Sequence, residues 1–477
     1  MTALLDHTLP RSLAGAILAV MVLGLPCAGA WAAPSETFYA RVGIHEIGHA
    51  RLAALQAHPG LRWWIEVDDQ LLVLTDAATV ETLERDVDIE RLDLPVEPGR
   101  LRLVVRGHQE DLAAMAVDVL ARGGRHAVIQ ARHDGEIAMP DHGHDDSESA
   151  HVDMQLLPFR AGTVLARQVA NDPPRTFGVD PAIEALVDEA DAQRWFADVQ
   201  SLTGFNRWTH SPGVLDARDW LVEQFEAMPG LTVTTPSFDV DGTTAYNVIA
   251  TLPGSVRPNE WYILGAHYDS RAETSAQSQV ASPGAEDNAS GCAAVLEQAR
   301  IFTANPPEAT MLFVCFSGEE QGLWGSVDHV AGLQASGDDT KVRGVLNMDM
   351  ISYTSDADLD CLIGSRPEFP DILDRFVEAA GAYTALRVVT SLTMCCSDHV
   401  PYLNAGLATV VAASNDWFQY PHYHRSTDTA PNVSLVQAEQ VLRMNVAAVA
   451  GMVGAGSSTL IFANGFESGD LGGWSAP

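Results

Sequence analysis

The chain has 477 residues, length for two or three domains at about 100–200 residues each, and its 47% hydrophobic content supports a sizeable core. Its formal net charge is −35 and its isoelectric point about 4.6. Such a surface repels nucleic acid and anionic lipid, which removes both as partners, and it attracts cations, including metal ions and protonated amines. Near the N-terminus Arg11 precedes an apolar run over residues 13–25, and Ala30-Trp31-Ala32 forms an A-x-A cleavage pattern. The run is shorter than the about 20 apolar residues of a membrane span. Residues 1–32 are therefore expected to be a signal peptide, with the protein secreted or periplasmic and no membrane span left after removal.

Residues 33–177 read as a smaller α/β domain. LRWWIEVDD and RLRLVVRG have strand character, and EDLAAMAVDVLARGG reads as an amphipathic helix. The polar stretch PDHGHDDSESAH and the proline-bearing linker NDPPRTFGVDP then mark a domain boundary. His45-Glu46-Ile47-Gly48-His49 matches the H-E-x-x-H zinc pattern, but it follows the strand-like FYARVGI, and Gly48 weakens a helix there. The match is read as chance among 16 histidines.

Over residues 178–455 apolar strands alternate with helices. LTVTTPSFDV and AYNVIATLPG suggest a hairpin. WYILGAHY, TMLFVCFSG, GVLNMDMIS, DCLIGS and LATVVAAS follow as strands, separated by helical segments such as SGCAAVLEQARIF and SLVQAEQVLRMNVAAVAGMV. This predicts an α/β fold with a mostly parallel central sheet flanked by helices, whose ligands bind beyond the carboxyl ends of the strands. Residues 456–477 read as a C-terminal tail outside the core.

Chemistry-bearing residues sit where those strands end: His267 and Asp269, Glu319 and Glu320, Asp349, with Asp287 opening a helix and His424 near the end. A lone Asp at a helix start is usually a cap, and a Glu-Glu pair after a strand is usually solvated. Gathered on one rim, however, two imidazoles and several carboxylates suit zinc, and an ion pair about 3.5–4 Å apart needs a bridging carboxylate. Six segments, GAHYDS, PGAEDNASG, FSGEEQGLWGS, NMDMISY, CSDH and YHRSTDT, occur in the order of the secreted bacterial leucine aminopeptidases, a co-catalytic di-zinc family, which the chain resembles over residues 183–454. The resemblance implies a zinc-exopeptidase fold and two zinc ions per chain. Asp287 would bridge them, His267 and Asp349 would complete one site, and Glu320 and His424 the other. It also implies Glu319 as general base, Asp269 orienting His267, and a cis peptide between Asp287 and Asn288. The front region loosely resembles a family propeptide removed on maturation.

The sequence departs from this family where a Cys-x-Tyr-x-Cys segment normally precedes S-D-H. Here the residues are Leu392 to Cys396, with Met394 in place of the tyrosine. With Cys27 in the signal peptide, Cys292 and Cys315 fall in apolar elements as buried thiols, leaving Cys361, Cys395 and Cys396 as bridge candidates. Met350, Met394, Trp417, Phe418 and Tyr420 flank the ligand positions and suggest an apolar pocket for side chains such as Leu. The expected partner is a peptide with a free N-terminus, acted on by a monomer. A glutaminyl cyclase-like acyltransferase and a non-catalytic receptor-like ectodomain are the alternative readings on this fold.

Overall fold

The computed structural model describes residues 36–44, 47, 49–106, 112, 115–123, 126–133, 137, 154–169, 179–394 and 396–456. The front region contributes strands β1 (Thr37–Gly43), β2 (Trp63–Asp68), β3 (Gln70–Asp76), β4 (Ile89–Arg91), β5 (Leu101–Arg106), β6 (Val117–Gly123), β7 (His126–Ala131), β8 (Met154–Pro158) and β9 (Thr163–Val169). The rest contributes β10 (Thr232–Thr234), β11 (Ser237–Val240), β12 (Thr243–Tyr246), β13 (Val248–Leu252), β14 (Arg257–His267), β15 (Ala309–Phe316), β16 (Val342–Met348), β17 (Asp360–Gly364), β18 (Arg387–Ser391) and β19 (Thr409–Ser414).

The large sheet has its parallel core in β15-β14-β16-β19 and mixed pairing toward its margins, antiparallel at β13-β15, β19-β17 and β18-β9 and parallel at β17-β18 and β9-β2. Every residue of β15 is buried, which accounts for its apolar run over residues 311–316: helices cover both faces. On one face Leu264, Ala266, Phe313 and Cys315 join the core under the helices Gly213–Glu226, Ser290–Ala304 and Leu435–Val453. On the other, Ile263, Leu312 and Val314 pack with Val330 and Leu333 of the helix Trp324–Ser336 and with Tyr402. The long C-terminal helix is bounded as its sequence suggests: the Ser434 side chain accepts from Gln437 N, and Gly454 ends it at φ 71°.

Two local expectations fail. The segment expected as a helix over EDLAAMAVDVLARGG forms β6 across Val117–Gly123, antiparallel to β7. The apolar run HAVIQA supplies a cross-strand partner that outweighs local helical preference. The expected hairpin is also redistributed: β11 pairs with β12 around Asp241 and Gly242, both at positive φ, while β10 pairs with β13.

The front region is continuous with this sheet. The order runs β10-β13-β15-β14-β16-β19-β17-β18-β9-β2-β3-β1-β4, and β6-β7-β5-β8 form a second sheet. β9 pairs antiparallel with β18, matching Thr390 with Arg167. Ser391 Oγ donates to Leu165 O at 3.0 Å, and Ala166 packs with Leu362, Val389, Met394 and Val411. β18, not singled out in the sequence, is thus the strand on which the front region docks. The polar stretch 141–151, His45 and Glu46 of the H-E-x-x-H match, and the tail from 457 lie outside the described residues. No helix among the described residues is long and apolar enough to cross a membrane.

Candidate metal centre

β14 lies between β15 and β16, and all three run parallel, so their carboxyl ends share one rim. His267 closes β14, Glu319 and Glu320 follow β15, and Asp349 follows β16. Asp287 comes from the turn leading into the helix Ser290–Ala304, and His424 from the segment after β19. His267 Nε2 stands 3.4 Å from Asp287 Oδ1 and 3.5 Å from Asp349 Oδ1. His424 Nε2 stands 3.1 Å from Asp287 Oδ2 and 3.3 Å from Glu320 Oε2. Two triads result, His267–Asp287–Asp349 and Asp287–Glu320–His424, the donor atoms of each lying within 4.8 Å of one another. Asp287 is common to both and gives one oxygen to each. Glu319 Oε2 lies 3.9 Å from His267 Nε2.

The donor set fits metal. Both carboxylate oxygens of Glu320 and Oδ1 of Asp349 are buried and accept no hydrogen bond. Buried carboxylates left in that condition cost several kcal/mol unless a cation or proton meets them. Imidazole nitrogens mixed with carboxylate oxygens are ligands suited to zinc.

Residues 247–449 match peptidase family M28. They form an M28 peptidase domain. The chain is 30% identical over 304 residues to a "probable zinc metalloprotease" of Pyricularia oryzae, covering 53% of this chain and 60% of that protein. It is 28% identical over 245 residues to a "probable aminopeptidase" of Saccharomyces cerevisiae, covering 48% of this chain and 64% of the yeast protein. The chain thus spans less than two thirds of the length of these curated relatives. Among solved structures, the Legionella pneumophila LapA aminopeptidase is similar in fold, with a TM-score of 0.52 at 16% identity, over 74% of this chain and 98% of that one.

The M28 domain positions these candidate metal-binding side chains through residues that sequence reasoning passed over or cast differently. His267 Nδ1 meets the main-chain oxygen of Asp269 at 3.1 Å, while the Asp269 carboxylate is farther, at 3.6 Å. That carboxylate instead accepts from Glu319 N at 3.2 Å, Glu320 N at 3.3 Å and Thr209 Oγ1 at 3.0 Å. Asp269 therefore orients the two glutamates with its side chain and the histidine with its backbone. Arg207, fully buried, donates to Tyr268 O, Leu202 O, Pro283 O and Gly284 O. It ties the loop before Asp287 to the end of β14, and burial lowers its guanidinium to about 10. Gly284 has φ 47°, and a Cβ there would meet Asp287 O at 2.2 Å. The segment FNRWTH carries no motif that would have marked Arg207. Glu286, within the quoted PGAEDNASG, accepts from Ser352 N and Tyr353 N at 2.9 Å each, bracing the Asp287 turn against the Asp349 loop. The Asp287–Asn288 peptide is cis.

The five residues expected to line an apolar pocket do not stay together. Met350, Trp417, Phe418 and Tyr420 form one cluster, each at most 7% exposed, with Tyr353 and Tyr423 at its margin. Met394 packs elsewhere, against Ala166 of β9. Tyr420 is 1% exposed and gives its hydroxyl to Asp428, so it backs the site instead of facing a ligand. Tyr423 stacks on the His424 ring at 3.8 Å between centroids. Cys292, Cys315 and Cys361 are buried free thiols, which removes Cys361 as a bridge candidate; Cys396 is disulfide-bonded, and Cys395 lies outside the described residues.

Burial pushes the Glu319 and Glu320 carboxyls up. Burial would lower both imidazoles, but the facing carboxylates prevail: Glu319 and Asp349 raise His267, and Glu320 and Asp287 raise His424 to about 9. Asp287, also opposed by burial, falls below the usual carboxylate range because both histidines face it. Without metal, the site therefore holds protons. Stability contributed by the raised His424 is fully present below pH 6.5 and lost as pH rises through about 9. Metal needs the neutral imidazole, so protons compete with it in the same window. Chelator competition should show zinc affinity rising from pH 6.5 to about 9, by about tenfold per pH unit for each proton displaced. Affinity that stays flat over that range would contradict the charge state assigned to His424.

Proposed function

We propose that this protein is an exported zinc aminopeptidase that binds two zinc ions and removes the N-terminal residue from peptides, with apolar residues such as Leu preferred. The observation that carries this reading is the pair of triads sharing Asp287, with Glu319 beside them. Zinc bound there supplies a Lewis acid that polarises a carbonyl and acidifies water. Glu319 takes the proton of the attacking water and returns it to the leaving amine, a role suited to a buried carboxyl whose affinity for protons is raised. Asp269 keeps that carboxyl in place through the Glu319 amide. Excess negative charge on the rim holds the α-ammonium of a substrate, which favours cleavage at a free N-terminus. The cluster of Met350, Trp417 and Phe418 behind the rim supports an apolar first side chain.

Aminoacyl-nitroanilides assayed with and without chelator test the reading. The leucyl and methionyl compounds should be hydrolysed fastest, and chelator should abolish the activity. Activity that survives complete zinc removal would exclude it.

The roles of the adjacent glutamates separate by substitution. Glu319→Gln keeps the shape and removes the basicity, so turnover should drop by about 10²–10⁴ with zinc content kept. Glu320→Gln should lower zinc occupancy, because a neutral amide is a poor zinc ligand. Zinc loss in the first variant and not in the second would reverse the assignment.

Maturation by a cut between residues 141 and 180 is part of the same proposal, supported by the polar stretch and the proline-bearing linker there. After a cut in the linker that follows β9, the pairing of β9 with β18 would keep the front region attached until that edge opened. N-terminal sequencing of exported, active protein should find a start in this interval. A fully active form beginning near Ala33 would make the front region permanent.

A further inference from the structure

The turn that carries Asp287 and the turn that carries His424 meet at one residue. Asp428 Oδ1 accepts from Glu286 N at 3.0 Å, Oδ2 accepts from Asp287 N at 3.0 Å, and its main-chain oxygen accepts from Ala285 N at 3.1 Å. Three consecutive amides are thus fastened to a single residue 141 positions away from Asp287. Asp428 N in turn donates to Arg425 O at 2.9 Å, closing the turn over residues 425–428 that directly follows His424. The Tyr420 hydroxyl donates to Asp428 Oδ1 at 2.5 Å. Asp428 and Tyr420 are each 1% exposed, so water does not compete for these bonds.

We propose that Asp428, oriented by Tyr420, is a positioning residue that fixes the shared carboxylate of Asp287 relative to His424, so that each of its oxygens faces one metal position. This deepens the metal-centre reading and rests on it. A carboxylate that accepts from two adjacent amides forms two charge-assisted bonds and sets the direction of the backbone that bears them. Asp287 departs from that backbone, and its two oxygens must address two histidines from different elements. A small rotation of the turn would bring one oxygen toward its histidine only by withdrawing the other. The Tyr420 bond fixes which oxygen of Asp428 serves which amide and disperses charge on a carboxylate that lies close to those of Asp287 and Glu286.

The test uses the full chain and reads zinc affinity by chelator competition beside the thermal midpoint of the metal-free protein. Tyr420→Phe keeps the ring and removes one hydrogen bond. Asp428→Asn keeps the volume but sets an amide donor against a backbone donor. Zinc affinity should fall about 10–100-fold in Asp428→Asn and by less, in the same direction, in Tyr420→Phe, as for partners that orient metal ligands. The metal-free midpoint of Tyr420→Phe should stay close to the parent's. Parent-like zinc affinity in both variants overturns the proposal. So does a loss of affinity in Tyr420→Phe that is matched by an equal loss of metal-free stability, which is the mark of a structural role alone. If Asp428→Asn does not fold, Tyr420→Phe decides on the same two readouts. A parent protein that holds no zinc fails at the first titration and takes the metal-centre reading down with this one.

Discussion

Asp287 presents one oxygen to His267 and the other to His424, and much of the M28 domain exists to make that sharing possible. Glu319, Glu320 and Asp349 stand around it on strand ends that bury them together. Such an excess of negative charge in a poorly hydrated pocket has to be met by cations or protons. The facing carboxylates draw both histidines toward their protonated forms against the pull of burial. At a site of this composition, metal affinity, proton affinity and local stability are linked, because protons and a metal ion compete for the same donor atoms.

A cluster under that electrostatic load needs a frame that does not yield. The frame is largely backbone held by buried polar side chains. Asp269 gathers the amides of both glutamates, Arg207 ties four main-chain carbonyls together, and Glu286 joins the Asp287 turn to the Asp349 loop. These side chains touch backbone more than they touch ligands. Each brings together segments that are far apart in the chain, so the precision of the centre depends on the completed fold and not on any one loop.

The same sheet that displays the ligands continues into the front region. β9 completes the edge at β18, and Ala166 supports Met394, which precedes the Cys396-Ser397-Asp398 turn. An edge strand left uncovered is a template for unwanted pairing, and the front region removes that hazard. Anything that loosens β9 from β18 reaches the packing of Met394 directly.

Periodicity and motif order, taken from the sequence alone, determined the alternating strands and helices of the second region and pointed to the His, Asp and Glu side chains that the fold brings into two triads. Both follow from local rules: buried parallel strands read as near-continuous apolar runs, and ligands of such sheets bind beyond the carboxyl ends of the strands. The structure alone decided the rest. EDLAAMAVDVLARGG has the pattern of an amphipathic helix, and its pairing with HAVIQA made Val117–Gly123 a strand instead. Tyr420 looked like a pocket wall beside His424, and only the approach of Asp428 turned its hydroxyl inward. Met394 was drawn away from the other pocket candidates by Ala166, more than 200 residues earlier in the chain. Arg207 had no local signature at all, because its partners are carbonyls that come together only in the folded chain. Residue type and spacing reveal which atoms can bind metal, whereas the contacts that aim those atoms join distant segments and have no period to be read.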